Sequence, residues 1–339
     1  ATNTTGEVIR YVLTGTTTDG FFKLYSTKKQ AIVLNGVNIT NPDGAAINNQ
    51  SKKRTFIVLN DGTKNFLTDG TNYSDATDDE DMKACFFSEG QLIFSGAGYL
   101  EVDANCKAGI RSDDYVRTLP KTNIYVDASS GNGIRGNDAV IVTGGVININ
   151  ITGTADKGIS TDGEVRIDGG RTTILTSGGY EYDSDESDYT ACSGIKADSL
   201  VASSGGELNI KSTGTGGKGI NSDDQIVVND GTVRIITTGK RQKDSKGSVS
   251  PKGIKADGNI TFNGGQTQVR LEGSGDGTEA IESKSEIHIE AGTVECYSYD
   301  DAINSAGNLY IDGGYVYARA MNNDGIESLD RKSGSAGMP

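Results

Sequence analysis

The sequence predicts an all-β protein: a right-handed, single-stranded parallel β-helix with three short strands in each coil. Three observations predict this fold. A Gly-Ile motif recurs with a period of about 25 residues, which is typical of a solenoid whose coils cannot bury their apolar faces alone. Short stretches of alternating apolar and polar residues follow each copy, and 47 glycines are spread along the chain. No helical periodicity longer than one turn is visible.

Each coil begins with the Gly-Ile motif, which we expect to form the first strand. Clear copies centre on Ile110, Ile134, Ile159, Ile195, Ile220 and Ile254, and weaker copies on Ile47, Phe86, Ile281, Ile303 and Ile326. Equivalent residues of successive coils should lie about 4.8 Å apart, because parallel strands pair between coils. We expect ten to eleven coils, in a rod on the order of 50 Å long. Right-handedness is expected because parallel crossovers have that hand.

The second and third strands of a coil are separated by a Gly-Gly corner. Residues 165–167 alternate before Gly169 and Gly170, and residues 231–235 alternate after a similar corner. β-Branched residues with a period of two, bounded by Gly and Asn or Asp, indicate short strands. The glycines are expected where the corner requires a positive φ or where coils approach closely.

The chain is predicted to form a single domain. Residues 1–60 should be N-terminal capping strands and a first coil, residues 61–330 the β-helix body, and residues 331–339 a flexible tail. An irregular beginning is expected, because the terminal repeat of a solenoid must cover an exposed edge. Residues 1–6 are typical of a mature, trimmed start, so no signal segment is expected in this chain.

Composition argues against several classes of function. The net charge of −14 disfavours nucleic acid as a partner, and no apolar run reaches membrane-spanning length. The single histidine, His288, argues against a Ser-His-Asp triad and should be a solvated surface residue. The cysteines match no zinc or redox pattern. Cys85 and Cys296 are expected in the core, and Cys106 and Cys192 at corners with free thiols.

Three insertions fall at one corner, after the third strand and just before the next Gly-Ile motif. They cover residues 63–82, 178–190 and 239–250. The first is acidic, the second carries Tyr180 and Tyr182 among acidic residues, and the third is basic. Insertions collected on one face of a solenoid usually mark its binding face. Three solvated loops are the purely structural alternative.

Alignment of the coils on the central isoleucine predicts outward-facing columns of charge. The basic residues lie two before and one after it: Arg111, Arg135, Lys157, Lys196, Lys218, Lys252 and Lys255. Three after it lie Asp113, Asn137, Asp162, Asp198, Asp223 and Asp257. A regular row of bases suits an extended polyanion, because it gives multivalent contact with a repeating charge. The alternative for the basic row is a solvated face of charge-paired side chains. The Asp column has two explanations: the basic row neutralises it, or Ca²⁺ binds between coils.

Beyond residue 275 the two basic positions turn acidic, and no basic row is expected near them. The candidate metal ligands are Glu279, Glu282, Asp300, Asp301, Asn323, Asp324 and Glu327. Carboxylates stacked about 4.8 Å apart repel one another unless a cation lies between them. Ca²⁺ takes several oxygens from carboxylates and carbonyls, so these positions predict a calcium site.

Several segments together resemble a family of secreted bacterial carbohydrate-binding β-helix proteins, formerly a domain of unknown function. They are Phe-Leu-Thr-Asp-Gly-Thr at 66–71, the run from Phe86 to Val102, and the repeated Gly-Ile-x-[Ser/Ala]-Asp. The resemblance covers residues 32–326. It implies a calcium-bearing β-helix that is similar to calcium-dependent pectate lyases. It also implies location outside the cell or at the bacterial surface, and binding of plant cell-wall polysaccharide, acidic pectin included.

The family's Asp-Asp-Gly-Ile corner survives at residues 300–303 and 323–326, and has become Lys-Gly-Ile at Lys157, Lys218 and Lys252. That departure contributes lysines to the row of basic residues along the rod, here called the basic stripe.

Three functions follow as expectations. The first is non-catalytic binding of acidic polysaccharide along the basic stripe, aided by Ca²⁺. The second is a calcium-dependent polysaccharide lyase, which needs a base for the proton α to a uronate carboxylate. Lys196 and Lys255 are its candidates, although the neighbouring Asp column should hold them protonated. The third is a structural or adhesive surface protein.

Overall fold

The computed structural model describes residues 1–4, 6–74 and 80–329. Within these ranges every regular element is a β-strand. No helix with the length and apolarity needed to cross a membrane occurs there. The predicted tail, residues 331–339, lies outside the described residues.

Thirty-seven strands are present in the described residues. Up to residue 104 they are β1 (Thr2–Asn3), β2 (Arg10–Thr17), β3 (Phe22–Ser26), β4 (Gln30–Asn41), β5 (Ile47–Asn49), β6 (Thr55–Leu59), β7 (Lys64–Asp69), β8 (Ala84–Ser88), β9 (Leu92–Ser95) and β10 (Tyr99–Ala104). Up to residue 197 they are β11 (Ala108–Ser112), β12 (Tyr115–Thr118), β13 (Asn123–Ala128), β14 (Ile134–Gly136), β15 (Ala139–Val142), β16 (Val146–Ile151), β17 (Lys157–Thr161), β18 (Glu164–Ile167), β19 (Arg171–Thr176), β20 (Tyr180–Asp183), β21 (Asp188–Ala191) and β22 (Ser193–Ala197). Beyond it they are β23 (Leu200–Ser212), β24 (Lys218–Ser222), β25 (Gln225–Thr237), β26 (Gln242–Lys243), β27 (Ser248–Val249), β28 (Lys252–Ala256), β29 (Ile260–Phe262), β30 (Gln266–Leu271), β31 (Glu279–Ser283), β32 (Ile287–Ile289), β33 (Thr293–Ser298), β34 (Ile303–Ser305), β35 (Leu309–Ile311), β36 (Tyr315–Ala320) and β37 (Ile326–Ser328).

The first strands of the coils pair in parallel and in sequence order. Among the described residues they form one thirteen-stranded sheet, here called the Gly-Ile sheet: β1, β3, β5, β8, β11, β14, β17, β22, β24, β28, β31, β34 and β37. Ile134 lies in register with Ile110 on one side and Ile159 on the other, as predicted. The parallel β-helix is therefore confirmed. The sheet has more strands than the ten to eleven coils expected, because β1 and β3, in the irregular N-terminal stretch, also join the stack.

The second and third strands belong to a second, twenty-stranded sheet. β23 and β25 each continue from the second-strand position of a coil to the third without a break, and their pairing shifts register at the corner between the two positions. Gly170 has a φ of 76°, and a Cβ there would lie 2.4 Å from the Gly145 carbonyl oxygen. The corner therefore needs glycine for both reasons expected from the sequence: a left-handed backbone and close coil stacking.

Inward Ile, Val and Leu side chains form one continuous core along the rod. In the clear copies of the motif, the glycine before the central isoleucine makes room for a third-strand side chain and for the backbone of the next coil. A Cβ on Gly158 would lie 2.3 Å from Ile174 Cγ2 and 2.6 Å from the Gly194 carbonyl oxygen. Cys85 and Cys296 are buried as predicted, and the four cysteines are free thiols.

Two of the insertions form antiparallel hairpins. β20 pairs with β21, and β26 pairs with β27. Of the acidic first insertion, residues 75–79 lie outside the described residues.

Candidate functional site

The predicted columns of charge exist, because the coils stack in register. Arg111 pairs with Arg135, Lys196 with Asn221, and Asn221 with Lys255, all one position after the central isoleucine. Ser160 and Asn221 interrupt this column, so its bases are not continuous.

This outer column is largely charge-paired with the adjacent Asp column. The pairs are Arg111–Asp113 at 3.4 Å, Arg135–Asp162 at 2.6 Å, Lys196–Asp198 at 3.3 Å, Lys196–Asp223, and Lys255–Asp257 at 3.7 Å. The geometry matches the structural explanation of the Asp column, in which lysine and arginine neutralise the stacked carboxylates.

We expected the inner column, two positions before the central isoleucine, to face open solvent, but it does not. Lys157 and Lys218 are half-buried, and Lys252 is only 8% exposed. The physical reason is that the two hairpins fold over this column. Lys157 donates to the Ala155 carbonyl oxygen and to Thr190 Oγ1, and burial lowers its pKa.

The two hairpins contact each other through tyrosines. Tyr180 and Tyr182 pack edge-on against Tyr189, with ring centroids 5.3 and 5.1 Å away. The Tyr189 hydroxyl donates to Asp244 of the second hairpin, and Lys246 Nζ lies 4.3 Å from the Tyr182 ring centroid. Tyr182 and Tyr189 therefore hold one hairpin against the other, whereas Tyr180 packs within its own hairpin.

A cleft of ≈ 290 Å³, here called the hairpin cleft, lies between these hairpins and the Gly-Ile sheet. Its charged and tyrosine lining consists of Asp188, Tyr189, Lys218, Arg241, Lys252, Lys255, Asp276 and Glu282. Arg241 pairs with Asp276 at 2.9 Å. Sequence reasoning did not select Tyr189 or Arg241 as binding residues. Their location in the insertions was the available signal, but only the fold of the hairpins turns them toward the lysines.

Lys218 is the distinctive residue of the hairpin cleft. Within the described residues its ammonium has no hydrogen bond or ion pair. Burial, and then the positive charges of Lys255, Lys157 and Lys252, lower its pKa to about 8. In this respect Lys218 differs from Lys196 and Lys255, the two bases expected from the sequence, because both of those lysines contact carboxylates.

The acidic positions form a compact cluster at the next coils. Carboxylate oxygens of Glu279, Asp300 and Asp301 lie within 4.8 Å of one another. Asp300 accepts hydrogen bonds from Asn323 Nδ2, at 3.0 Å, and from the Gly277 N–H. The Asp324 N–H donates to Asp301 Oδ1 at 3.1 Å, although the Asp324 side chain is exposed.

The pKa of Asp301 is raised to about 7. Burial is the main cause; the Glu327 carboxyl and the charge of Asp300 raise it further. Asp301 is 2% exposed, so its charge is poorly solvated.

The expectation that no basic group lies near this cluster was wrong. Lys252, from the coil before, contacts Glu279 and lies 2.8 Å from Glu282 Oε2. The inner column changes sign between β28 and β31, so the last lysine is directly paired with the first glutamate. Glu282 therefore faces Lys252 and the hairpin cleft.

A second acidic group joins the first insertion to the Asp column. Asp81, Glu89 and Asp113 bring carboxylate oxygens within 4.8 Å of one another. Lys83 lies 2.6 Å from Asp81 and 2.7 Å from Asp113, which neutralises much of their charge.

The sequence matches the profile of a family described as "Carbohydrate-binding domain-containing protein" over residues 2–155, 200–277 and 272–325. A protein of that same description from Acetivibrio thermocellus is 38% identical over 122 residues, which is 35% of this chain and 42% of that protein. The matched segment thus spans less than half of the relative's length.

Among solved structures, the polysaccharide lyase-like protein from C. thermocellum aligns with a TM-score of 0.44 at 25% identity. The alignment covers 84% of this chain and 85% of that one. The family profile covers most of this chain, which therefore belongs to the carbohydrate-binding domain family.

Proposed function

We propose that this protein binds an acidic polysaccharide without cleaving it, with one carboxylate of the glycan held in the hairpin cleft. The observation that carries the proposal is the unpaired Lys218 ammonium, surrounded by Lys252 and Lys255. The Lys218 ammonium gains an ion pair when an anion enters the hairpin cleft. That ion pair compensates for the solvation that the buried ammonium has lost.

The outer column would extend the contact along the rod. Arg111, Arg135 and Lys196 lie on the same sheet and are each half-buried. They already have carboxylate partners, so we expect each to contribute less than Lys218. Their contribution is multivalent, since a polyanion bound at the cleft presents further charges at high effective concentration.

We further propose Ca²⁺ at Glu279, Asp300 and Asp301. Three convergent carboxylates suit a hard cation, and the raised pKa of Asp301 indicates a cluster short of positive charge. Lys252 supplies part of that charge and competes with the ion. Calorimetric titration with Ca²⁺ tests the site: binding should be lost in Asp301→Asn and kept in the exposed Asp312→Asn. Equal binding by both variants would contradict it.

The binding proposal is tested with polygalacturonate by isothermal titration calorimetry. Lys218→Gln should weaken binding about tenfold, which corresponds to about 1.4 kcal/mol. Lys211→Gln is the matched control, because Lys211 is an exposed lysine on the other sheet. A rod that serves only as a spacer would show no binding, or equal loss in both variants.

A polysaccharide lyase is the second candidate, and Lys218 favours it. With a pKa of about 8, a sizeable fraction of its amine is neutral near that pH and able to accept a proton. In β-elimination the proton α to the uronate carboxylate would pass to Lys218 Nζ. The electron pair would form the C=C bond, and the β C–O bond would break with its oxygen taking a proton from solvent water.

Incubation with polygalacturonate separates the two functions. A lyase produces an unsaturated sugar that absorbs in the ultraviolet, at a rate that rises with pH through about 8 and disappears in Lys218→Gln. We expect no such product at pH 7, because Lys218, with a pKa of about 8, is mostly protonated there and unable to accept the proton.

We place the protein outside the cell or at the bacterial surface, since cell-wall polysaccharides lie there. Antibody labelling of intact cells checks this, and labelling only after lysis would contradict it.

A further inference from the structure

The outward face of the third strands, away from the hairpin cleft, carries exposed apolar side chains in several coils. Those on this face are Val146, Leu175, Ile236, Tyr297, Tyr315 and Tyr317. Tyr297 and Tyr317 are each 37% exposed, with ring centroids 5.4 Å apart. Lys211 lies between Leu175 and Ile236, so the aromatic pair rather than a continuous apolar patch makes this face a candidate contact surface.

Two adjacent columns on this face enclose a groove of ≈ 220 Å³, here called the tyrosine groove. One wall consists of Arg234, Gln268 and Glu295, which lie in register on β25, β30 and β33; the other consists of Ile236, Arg270 and Tyr297 on the same strands. Side chains two residues apart on a strand point to the same face but belong to separate columns. The two walls are therefore built from different sets of residues.

The first wall is polar and internally hydrogen-bonded. Arg234 Nη1 donates to Glu207 Oε1 at 2.9 Å, and Arg234 Nε donates to Gln268 Oε1 at 3.3 Å. Gln268 Nε2 then donates to Glu295 Oε2 at 2.8 Å. These bonds hold donors and acceptors in fixed positions along the groove.

The second wall is apolar and aromatic. Ile236 is exposed, and the Arg270 guanidinium carbon lies 5.9 Å from the Tyr297 ring centroid. Arg270 also pairs with Glu272 at 2.9 Å. Each arginine of the groove therefore has a carboxylate partner, and Glu295 adds a carboxylate that is hydrogen-bonded to Gln268.

We propose that the tyrosine groove is a second glycan site and that it binds a neutral polysaccharide. A pyranose ring has an apolar C–H face, which fits Tyr297 and Ile236, and hydroxyls at its edge, which fit the polar wall. Because both arginines are already paired with carboxylates, an acidic glycan gains no advantage here. The groove is smaller than the roughly 300–1,000 Å³ of pockets that enclose small ligands, so it suits single rings of a longer chain.

This site is independent of the hairpin cleft. It lies on the other sheet and uses neither lysine nor the acidic cluster. Neutral glycan binding should therefore survive Lys218→Gln and the presence of chelator, whichever result polygalacturonate gives.

The test is calorimetric titration of the full chain with β-linked hexasaccharides of glucose, mannose and xylose, in chelator. At least one should bind with a dissociation constant of millimolar or tighter. Tyr297→Ala should weaken that binding about tenfold, which corresponds to about 1.4 kcal/mol and is near the upper range for an aromatic contact.

Tyr315→Ala is the matched control, because Tyr315 is a more exposed tyrosine of the same sheet outside the groove. It should change the affinity less than twofold. The proposal fails if no hexasaccharide binds up to millimolar concentration, or if the two substitutions weaken binding equally. Circular dichroism of both variants verifies that the fold is kept.

Discussion

The two halves of the inner column occupy equivalent positions in successive coils but carry opposite charges. Lys218 lies in the basic half and Asp301 in the acidic half, and each is an inner-column residue of its coil. The pKa of Lys218 is lowered to about 8, and that of Asp301 is raised to about 7. Both shifts are toward the neutral form, and both have burial as the largest cause.

The difference between the halves teaches what a solenoid does with charge. Register stacks like charges about 4.8 Å apart, and burial removes the water that would screen them. Each half thus favours the neutral form of its buried residue, Lys218 or Asp301. The boundary between them, Lys252 against Glu279, is where the protein supplies its own counter-charge.

Removing the Lys252–Glu279 ion pair at this boundary should have the largest effect on folding stability. Lys252→Gln leaves Glu279 beside Glu282, Asp300 and Asp301 without a cation, and we expect a loss of about 3 kcal/mol of folding stability. Chemical denaturation in chelator measures it. The double variant Lys252→Gln/Glu279→Gln should recover part of the loss, and Ca²⁺ should restore stability to the single variant. A loss below about 0.5 kcal/mol would mean that the cluster is solvated.

Removing the unpaired charge should act in the opposite direction. Lys218→Met keeps most of the side-chain volume and eliminates a poorly solvated ammonium, so we expect a gain of about 2 kcal/mol at neutral pH. Thermal and chemical unfolding measure the gain. Lys211→Met on the exposed face should stay within about 0.5 kcal/mol of the wild type. Destabilisation by Lys218→Met would show that the ammonium has a partner.

Polyanion affinity should depend on pH through the same lysine. Below pH 8 Lys218 is charged; as pH rises above 8 it loses its proton, and affinity for polygalacturonate should fall by up to about tenfold. Charged groups that face it in the cleft are Asp188, Arg241, Lys252, Lys255, Asp276 and Glu282. The pKa of Tyr189 is raised to about 12, so that hydroxyl stays neutral in this range. Lys218→Gln should give a flat profile, and a profile that still falls would assign the effect elsewhere.

Removing the acidic charge should have the smallest effect on stability. Its dependence on pH is the reverse of that of Lys218, since Asp301 gains charge as pH rises and Lys218 loses it. The folded-state pKa of Asp301 exceeds the ordinary value of 3.8, so its ionisation costs stability as pH rises from about 4 to 7. Asp301→Asn removes that cost, and we expect a gain of about 1 kcal/mol at pH 8 in chelator that vanishes near pH 4. Asp312→Asn, at an exposed position, should show no such pH-dependent difference. A gain that is the same at both pH values would exclude ionisation as the cause.

Particular residues show how far sequence reasoning reached. Gly158 and Ile159 predicted both a strand and its stacking, because the motif places a bulky inward residue beside a glycine, or beside a small residue in the weaker copies, coil after coil. The same alignment selected Glu279, Asp300 and Asp301 as one group. It also placed Lys252 and Glu279 at equivalent positions of successive coils. Whether those two side chains meet depends on their burial and rotamers, which coil alignment does not specify.

The hairpin cleft could be predicted only in part. The corner shared by the insertions pointed to the face on which the cleft lies, and Tyr182 was selected from it. The residues that line the cleft, Tyr189 and Arg241, depend on how two antiparallel hairpins fold back over the sheet, for which the sequence gives no register.

The sequence by itself determined the coil: its period, its glycine corners, its inward apolar side chains and the columns in which its charges stack. Those features repeat, so each coil specifies the same local geometry and the register of the next. Only the tertiary structure decided which charges are buried, since the covering hairpins occur once each and their contacts are long-range. Burial sets solvation, and solvation makes Lys218 differ from Lys196 although both are lysines of the same motif.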